Sequence, residues 1–430
     1  MFPVIDRTAS LLTRGYAWAP DLRRRHADAP AVPTRLMGRP ALLLHGPAAV
    51  EFFYDERHVL RHDALPGPVL DTLFGRGAVH TLDGDAHRVR KAMFVSLLTG
   101  GGSVDALTDR VEDHWRRAVD GWRGREAVLF DEVAAVLDRA VCDWTGTAAP
   151  EDAAREVAED CVAMVDGFAS VGSRHWKARR ARARQEGGLA RTVDEVRRGA
   201  DLLGRGSGDS RLETVVRHRD VSGRLLDPHT AAVELLNIIR PTVAIAWYVT
   251  FAAHALHRAP RLRDDLRTGG DAYARAFAHE VRRFYPFVPF VGGLAAADLH
   301  FLGRPVPEGT LVLLDVYGHH HDPGLWPDPY RFDPHRFLGR EPGTGELIPQ
   351  GGGDARTGHR CPGEDITVSV LAALATDLAR LPFDVPEQDL RIPLHRIPTR
   401  PRSGFVLSVP TLERARHAPP VPSPPARPGV

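Results

Sequence analysis

The stretch that most constrains this chain is Gln350-Gly351-Gly352-Gly353-Asp354-Ala355-Arg356-Thr357-Gly358-His359-Arg360-Cys361-Pro362-Gly363-Glu364. A single cysteine follows a glycine-rich loop, stands beside two basic residues and precedes a helix start. Gly351, Gly352 and Gly353 remove Cβ atoms where backbone must pass close to a flat ligand. Unpaired N–H groups at the start of the next helix can point at the sulfur and stabilise negative charge on it. His359 and Arg360 add positive charge suited to acidic substituents of such a ligand. The pattern fits a thiolate held against a large planar metal cofactor. Taken alone, it fits a mobile loop around a buried cysteine equally well.

Two upstream motifs shift the balance. His279-Glu280-Val281-Arg282-Arg283-Phe284-Tyr285-Pro286 places Glu280 and Arg283 three residues apart, on one face of a helix. Exposed pairs of this kind contribute only tenths of a kcal/mol, so the spacing alone carries little. Then comes Trp326-Pro327-Asp328-Pro329-Tyr330-Arg331-Phe332-Asp333-Pro334-His335-Arg336-Phe337, and after it the cysteine loop. This order, an E-x-x-R helix, a P-x-x-F-x-P-x-R-F segment and a glycine-flanked cysteine, resembles a cytochrome P450. The resemblance spans essentially the whole chain. It implies a mainly α fold with small β-sheets, a single domain over residues 1–417, and haem b with Cys361 as the axial iron ligand. It also implies a structural role for Glu280 and Arg283, and a haem-binding role for Arg360, His87, Lys91 and Arg61.

Two departures from the common P450 pattern narrow the resemblance. His359 and Asp354 stand where Arg and Phe are usual, so the loop is similar to that of the fatty-acid peroxygenase branch, CYP152. The second departure lies in Glu234-Leu235-Leu236-Asn237-Ile238-Ile239-Arg240-Pro241-Thr242-Val243. An acid–alcohol pair is usual there for proton delivery, and this chain carries Arg240 and Pro241 instead. A proline inside a helix removes one N–H and kinks the helix, at about 3 kcal/mol. Arg240 is a permanent cation in an apolar run, and a buried guanidinium without a partner is too costly to persist. Either the segment is a helix boundary with a surface arginine, or Arg240 has an anionic partner. In sequence only Glu234 is near, so a ligand carboxylate is expected.

Arginine grips a carboxylate as a bidentate fork. A fatty acid held by Arg240 would itself supply the acid–base group that the missing pair otherwise provides. The resemblance implies use of hydrogen peroxide without a redox partner, with oxidation at Cα or Cβ: 2- or 3-hydroxy acids, or decarboxylation to a terminal alkene. It places His80 in the distal pocket, where His resembles members that decarboxylate appreciably, and histidine can titrate near neutral pH. Phe74, Phe168, Phe287 and Phe290 resemble walls of an acyl channel, and serve equally well as core residues. A P450 monooxygenase with external redox partners and a haem-binding carrier are the competing readings.

Composition agrees. A net charge of +1 gives no reason to expect nucleic acid or an anionic membrane as partner. Cys142, Cys161 and Cys361 show no paired spacing, so neither zinc nor a disulfide framework is expected. No stretch approaches the ~18 uninterrupted apolar residues of a membrane span, and Met1 to Arg7 lacks a charged region followed by an apolar run, so a cytoplasmic protein is expected. Helical periodicity covers Val104 to Trp122, Asp131 to Trp144, Ala153 to Ala169 and Thr192 to Leu203, with a strand at Ala41 to Leu44. The basic run from His175 to Arg182 reads as a solvated helix face. Asp298 to Leu314 reads as a β-hairpin. The proline-rich tail 418–430 is expected to be disordered.

Overall fold

The structure is a computed structural model that describes residues 5–100, 102–147, 151–199 and 211–411. Met1 to Val4, the proline-rich tail and all of 200–210 lie outside the described residues. Helices dominate. Leu107, Val111, Trp115, Val119 and Trp122 recur at threes and fours along the helix Ser103–Trp122, and all are buried. The same periodicity seats the helices Leu129–Thr145, Ile245–Arg258 and Glu364–Arg380 against one large apolar cluster.

The segment Pro228–Arg258 is long and apolar enough by composition to cross a membrane, yet 94% of its most apolar window is buried in this protein. It is a core element. It comprises the helices Pro228–Val243 and Ile245–Arg258, joined at Ala244, three residues beyond Pro241. Pro241 lies inside the first helix, as the sequence implies.

A five-stranded sheet runs in the order Ala31–Leu36, Arg39–Leu44, Leu311–Asp315, Phe290–Ala295, Val59–Leu60. Only the pairing of Arg39–Leu44 with Leu311–Asp315 is parallel. The expected hairpin from Asp298 to Leu314 is therefore shorter: Leu299–Phe301 pairs with Arg304–Val306, and the apolar run after Gly309 joins the larger sheet instead. Of the expected helix Thr192 to Leu203, residues 200–203 lie outside the described residues. Its first residues are the last turns of Ser173–Arg197. The basic run lies on that helix with Lys177, Arg179 and Arg180 exposed, but Ala178, Ala181 and Arg182 turn inward.

One ion pair ties the helix Gly270–Phe284 to the chain that leads to the cysteine loop. Arg283 donates to both oxygens of Glu280, at 2.7 and 2.8 Å, and both side chains are fully buried. Its remaining N–H groups reach the carbonyls of His320 (2.7 Å), Pro329 (2.9 Å) and Arg331 (3.3 Å). Glu280 also accepts from the Asp333 N–H at 2.8 Å. This is far from the weak exposed pair that the spacing alone allows. Glu280→Ala should destabilise the protein by about 3–5 kcal/mol, because Arg283 is left as a lone buried charge; urea denaturation of the haem-loaded protein measures it.

Candidate functional site

The cysteine loop is fastened from both ends. The Cys361 N–H donates to the Gln350 carbonyl at 2.9 Å. The Gln350 amide nitrogen lies 2.9 Å from Thr367 Oγ1 and 3.9 Å from Cys361 Sγ. Arg360 turns away from the sulfur and donates to Glu364 at 2.7 Å, and Glu364 also receives Arg282. Lys91 donates to the Arg360 carbonyl. The glycines serve packing more directly than expected: a Cβ on Gly352 would meet Val50 Cγ1 at 2.5 Å, and one on Gly351 would meet the Tyr54 hydroxyl at 3.1 Å. Burial pushes the Cys361 thiol up, opposed first by the Gly363 N–H and then by Lys91.

Beside the loop lies a charged cluster on the helix Gly84–Leu98 and the segment before it. The rings of His87 and His359 stack with centroids 3.9 Å apart. Glu56 is 3.4 Å from a nitrogen of each. Asp83 accepts from the backbone of Arg61 and His62 and stands 3.5 Å from His359. Arg61 is buried, donates to the Val59 and Phe53 carbonyls, and lies over the Phe53 ring. Burial, then the neighbouring His359 and Lys91, hold His87 down to about 3.

A third group faces the interior from Pro228–Val243. Arg240 is 6% exposed. Its Nη2 donates to Asn237 Oδ1 at 3.3 Å, its Nε has no partner among the described residues, and its guanidinium lies 5.9 Å from the Phe74 ring centre. Glu234 is not its counterion: that carboxylate is taken by Arg90 at 2.6 Å. Burial pushes Arg240 down to about 9, so it remains a cation at neutral pH. His80 stacks on Phe74 with centroids 4.5 Å apart. Its dense surroundings and the positive charge of Arg240 hold it well below the usual histidine range. Burial and Arg240 thus disfavour the charged form of His80, where residue type alone allows titration near neutral pH. Cys361 and His80 are both half-buried. Arg240 senses the charge of Cys361, and His80 that of Arg240 and Lys91, so these groups border one region.

The aromatic candidates divide. Phe74 borders Arg240. Phe287 packs on Trp247 and Tyr248 at 5.9 and 5.1 Å. Phe290 packs on Trp18 in a separate apolar cluster at 5.7 Å. Phe168 is half-buried in the turn after Glu151–Gly167.

A sequence profile of the cytochrome P450 family matches residues 272–407. The structure of cytochrome P450SP alpha (CYP152B1) in complex with (R)-ibuprophen superposes with a TM-score of 0.89 at 42% identity, over 94% of this chain and 98% of that one. The chain belongs to the CYP152 branch of the cytochromes P450. Cytochrome P450EX alpha (CYP152N1) with myristic acid matches at TM-score 0.89 and 36% identity, over 95% of this chain and 98% of the other. An OleT variant in complex with arachidonic acid matches at TM-score 0.89 and 34% identity, over 94% and 96% of the two chains. Among curated sequences, cyclooctat-9-en-7-ol 5-monooxygenase of Streptomyces melanosporofaciens is 27% identical over 69% of this chain and 70% of its own.

Cytochromes P450 are oxidoreductases whose cofactor is haem, with a cysteine thiolate as the axial iron ligand. The residues present fit it. Cys361 is half-buried at the end of its loop. Among the described residues His87 Nδ1 and His359 Nε2 are buried with no hydrogen-bond partner, Glu56 standing 3.4 Å from each, and with Lys91 and Arg61 in the same cluster they would offer donors to acidic haem substituents. Sequence reasoning missed Asn237, Arg90, Arg182, Glu56 and Asp83. Asn237 had a signal, since it lies three residues before Arg240 on the same helix face. The others depend on long-range contacts.

Gly75 follows Phe74 in a conformation and a space that only glycine fits. Its φ is +86°, and an added Cβ would lie 2.3 Å from Arg182 Nη2 and 2.7 Å from Val233 Cγ1. Gly75→Ala should cost about 1–3 kcal/mol from backbone strain alone and displace Phe74. Thermal unfolding and the haem absorption spectrum report the two effects.

Proposed function

We propose that this P450 is a fatty-acid peroxygenase. It would use hydrogen peroxide, without a redox partner, to oxidise a long- or medium-chain fatty acid at Cα or Cβ. The observation that carries the reading is Arg240: a buried cation that, among the described residues, has a neutral amide as its only hydrogen-bonded side-chain partner and an unpaired Nε. A desolvated guanidinium in that state favours an anion, and a carboxylate matches its fork. The ligands named for three related structures, ibuprofen, myristic acid and arachidonic acid, are all carboxylic acids, which supports the same chemistry here.

In this reading Cys361 supplies the thiolate, and His87, Lys91, Arg61 and Arg360 support the cofactor. The haem, once bound, supplies the redox chemistry of peroxide activation. Arg240 holds the substrate carboxylate and fixes its orientation. That carboxylate then acts as the acid–base group, moving a proton between the two oxygens of hydrogen peroxide. Pro241 shapes the helix so that Arg240 points inward. His80, neutral, offers one donor and one acceptor beside the carboxylate. Phe74 and Phe287 wall the first carbons of the acyl chain, so oxidation falls next to the anchor. Phe168 and Phe290 would line more distant parts of the chain's path. Both hydroxylation and decarboxylation are compatible with a carboxylate held this way.

The test is product analysis with haem-loaded protein, palmitic acid and hydrogen peroxide, with no reductase present. Hydroxy acids or a terminal alkene one carbon shorter are expected. No product with peroxide, but turnover with a reductase and ferredoxin, would replace this reading with the monooxygenase one. Arg240→Ala should lower kcat/KM for the acid by at least about 30-fold, with haem retained. Cys361→Ser should abolish the thiolate absorption signature, and its survival would remove Cys361 as the ligand.

A further inference from the structure

Glu234 is a charged side chain that the proposed chemistry does not use, and it is 0% exposed. Burial pushes its carboxyl up, and Arg90 opposes that most strongly. A buried carboxylate needs partners, but one arginine would do. Here the two oxygens are divided among three elements. Oε1 accepts from Arg90 on Gly84–Leu98 at 2.6 Å and from the Val79 N–H at 2.8 Å. Oε2 accepts from Asn237 Nδ2 at 3.3 Å, one turn along its own helix. Val79 directly precedes His80, and Asn237 directly contacts Arg240.

The polarity of the network matters. Asn237 Nδ2 is flanked by two acceptors, Glu234 Oε2 and the Phe74 carbonyl at 3.0 Å. Both can only accept, so the amide is oriented with Nδ2 toward them and Oδ1 toward Arg240. That orientation occupies one guanidinium N–H and leaves the others aimed elsewhere. The same carboxylate fixes the backbone that carries His80.

We propose that Glu234 is a positioning residue, setting the direction of Arg240 and its distance from His80, and so determining preference for a carboxylate over an uncharged head group. This rests on the reading of Arg240 as the substrate anchor. Arg182 reinforces the arrangement from the other side by donating to the Leu73 carbonyl at 2.6 Å. In Glu234→Gln one oxygen can still serve Arg90 and Val79. The other becomes an NH2 facing the NH2 of Asn237, and two donors cannot pair. The Asn237 amide is then driven to turn, presenting a donor to a guanidinium that can only donate.

The experiment compares binding of palmitic acid and 1-hexadecanol to the haem-loaded protein by the shift in haem absorption. The unaltered protein should prefer the acid. In Glu234→Gln that preference should fall by at least about tenfold, with haem content and the thiolate spectrum unchanged. The double variant Arg90→Met/Glu234→Met leaves no lone buried charge and should show the same loss, which covers misfolding of the single variant. An unchanged preference in either folded variant overturns the inference. Parallel weakening of acid and alcohol also overturns it, since that marks a general packing role. No acid preference in the unaltered protein instead overturns the anchoring reading, and the role of Glu234 with it.

Discussion

The site depends on an arrangement in which several buried arginines are matched to carboxylates while Arg240 is left on a neutral amide. Glu280 takes Arg283, Glu364 takes Arg282 and Arg360, Glu186 takes Arg182, and Glu234 takes Arg90. Each pair satisfies the demand that a desolvated charge meet its opposite. Arg240 is outside this pairing and rests on an amide oxygen. A neutral partner relieves only part of the cost of burying a guanidinium. In the proposed reading an anion completes this region, and the helix carrying Arg240 is held in place by neighbours whose charges are already satisfied.

Two of these pairs have architectural consequences. The Glu280–Arg283 pair, through three backbone carbonyls, fixes the irregular chain between His320 and Asp333. Irregular chain has few hydrogen bonds of its own, so a buried fork with five donors suits it. The Glu364 pair anchors the start of Glu364–Arg380, three residues beyond Cys361. The thiol thus lies between two clamps. The glycines of its loop allow that loop to lie directly on Tyr54 and Val50.

Much of this was legible in the sequence, for a physical reason: the motifs are local. Glu280 and Arg283 share a helix, and the glycine loop and Cys361 adjoin, so spacing alone reveals them. The helices were legible through their apolar periodicity, including Pro241 inside its helix. What escaped depends on distance along the chain. Glu234 and Arg90 are 144 residues apart, and nothing near Glu234 announces its partner. The parallel pairing of Leu42 with Val312 is equally remote, which is why the apolar run after Gly309 read as one arm of a hairpin. The downward shift of His80 was not legible either, because burial beside Arg240 is a tertiary property. Residue type cannot convey it.

The two lysines have a practical consequence. The chain contains only Lys91 and Lys177. Lys91 is buried against the Arg360 carbonyl, whereas Lys177 is exposed on Ser173–Arg197. Apart from the amino terminus, amine-directed chemistry therefore has one accessible side-chain target. Coupling to a surface or a fluorophore through Lys177 would give a population of molecules in one orientation, with the cysteine loop and the Arg240 helix chemically untouched.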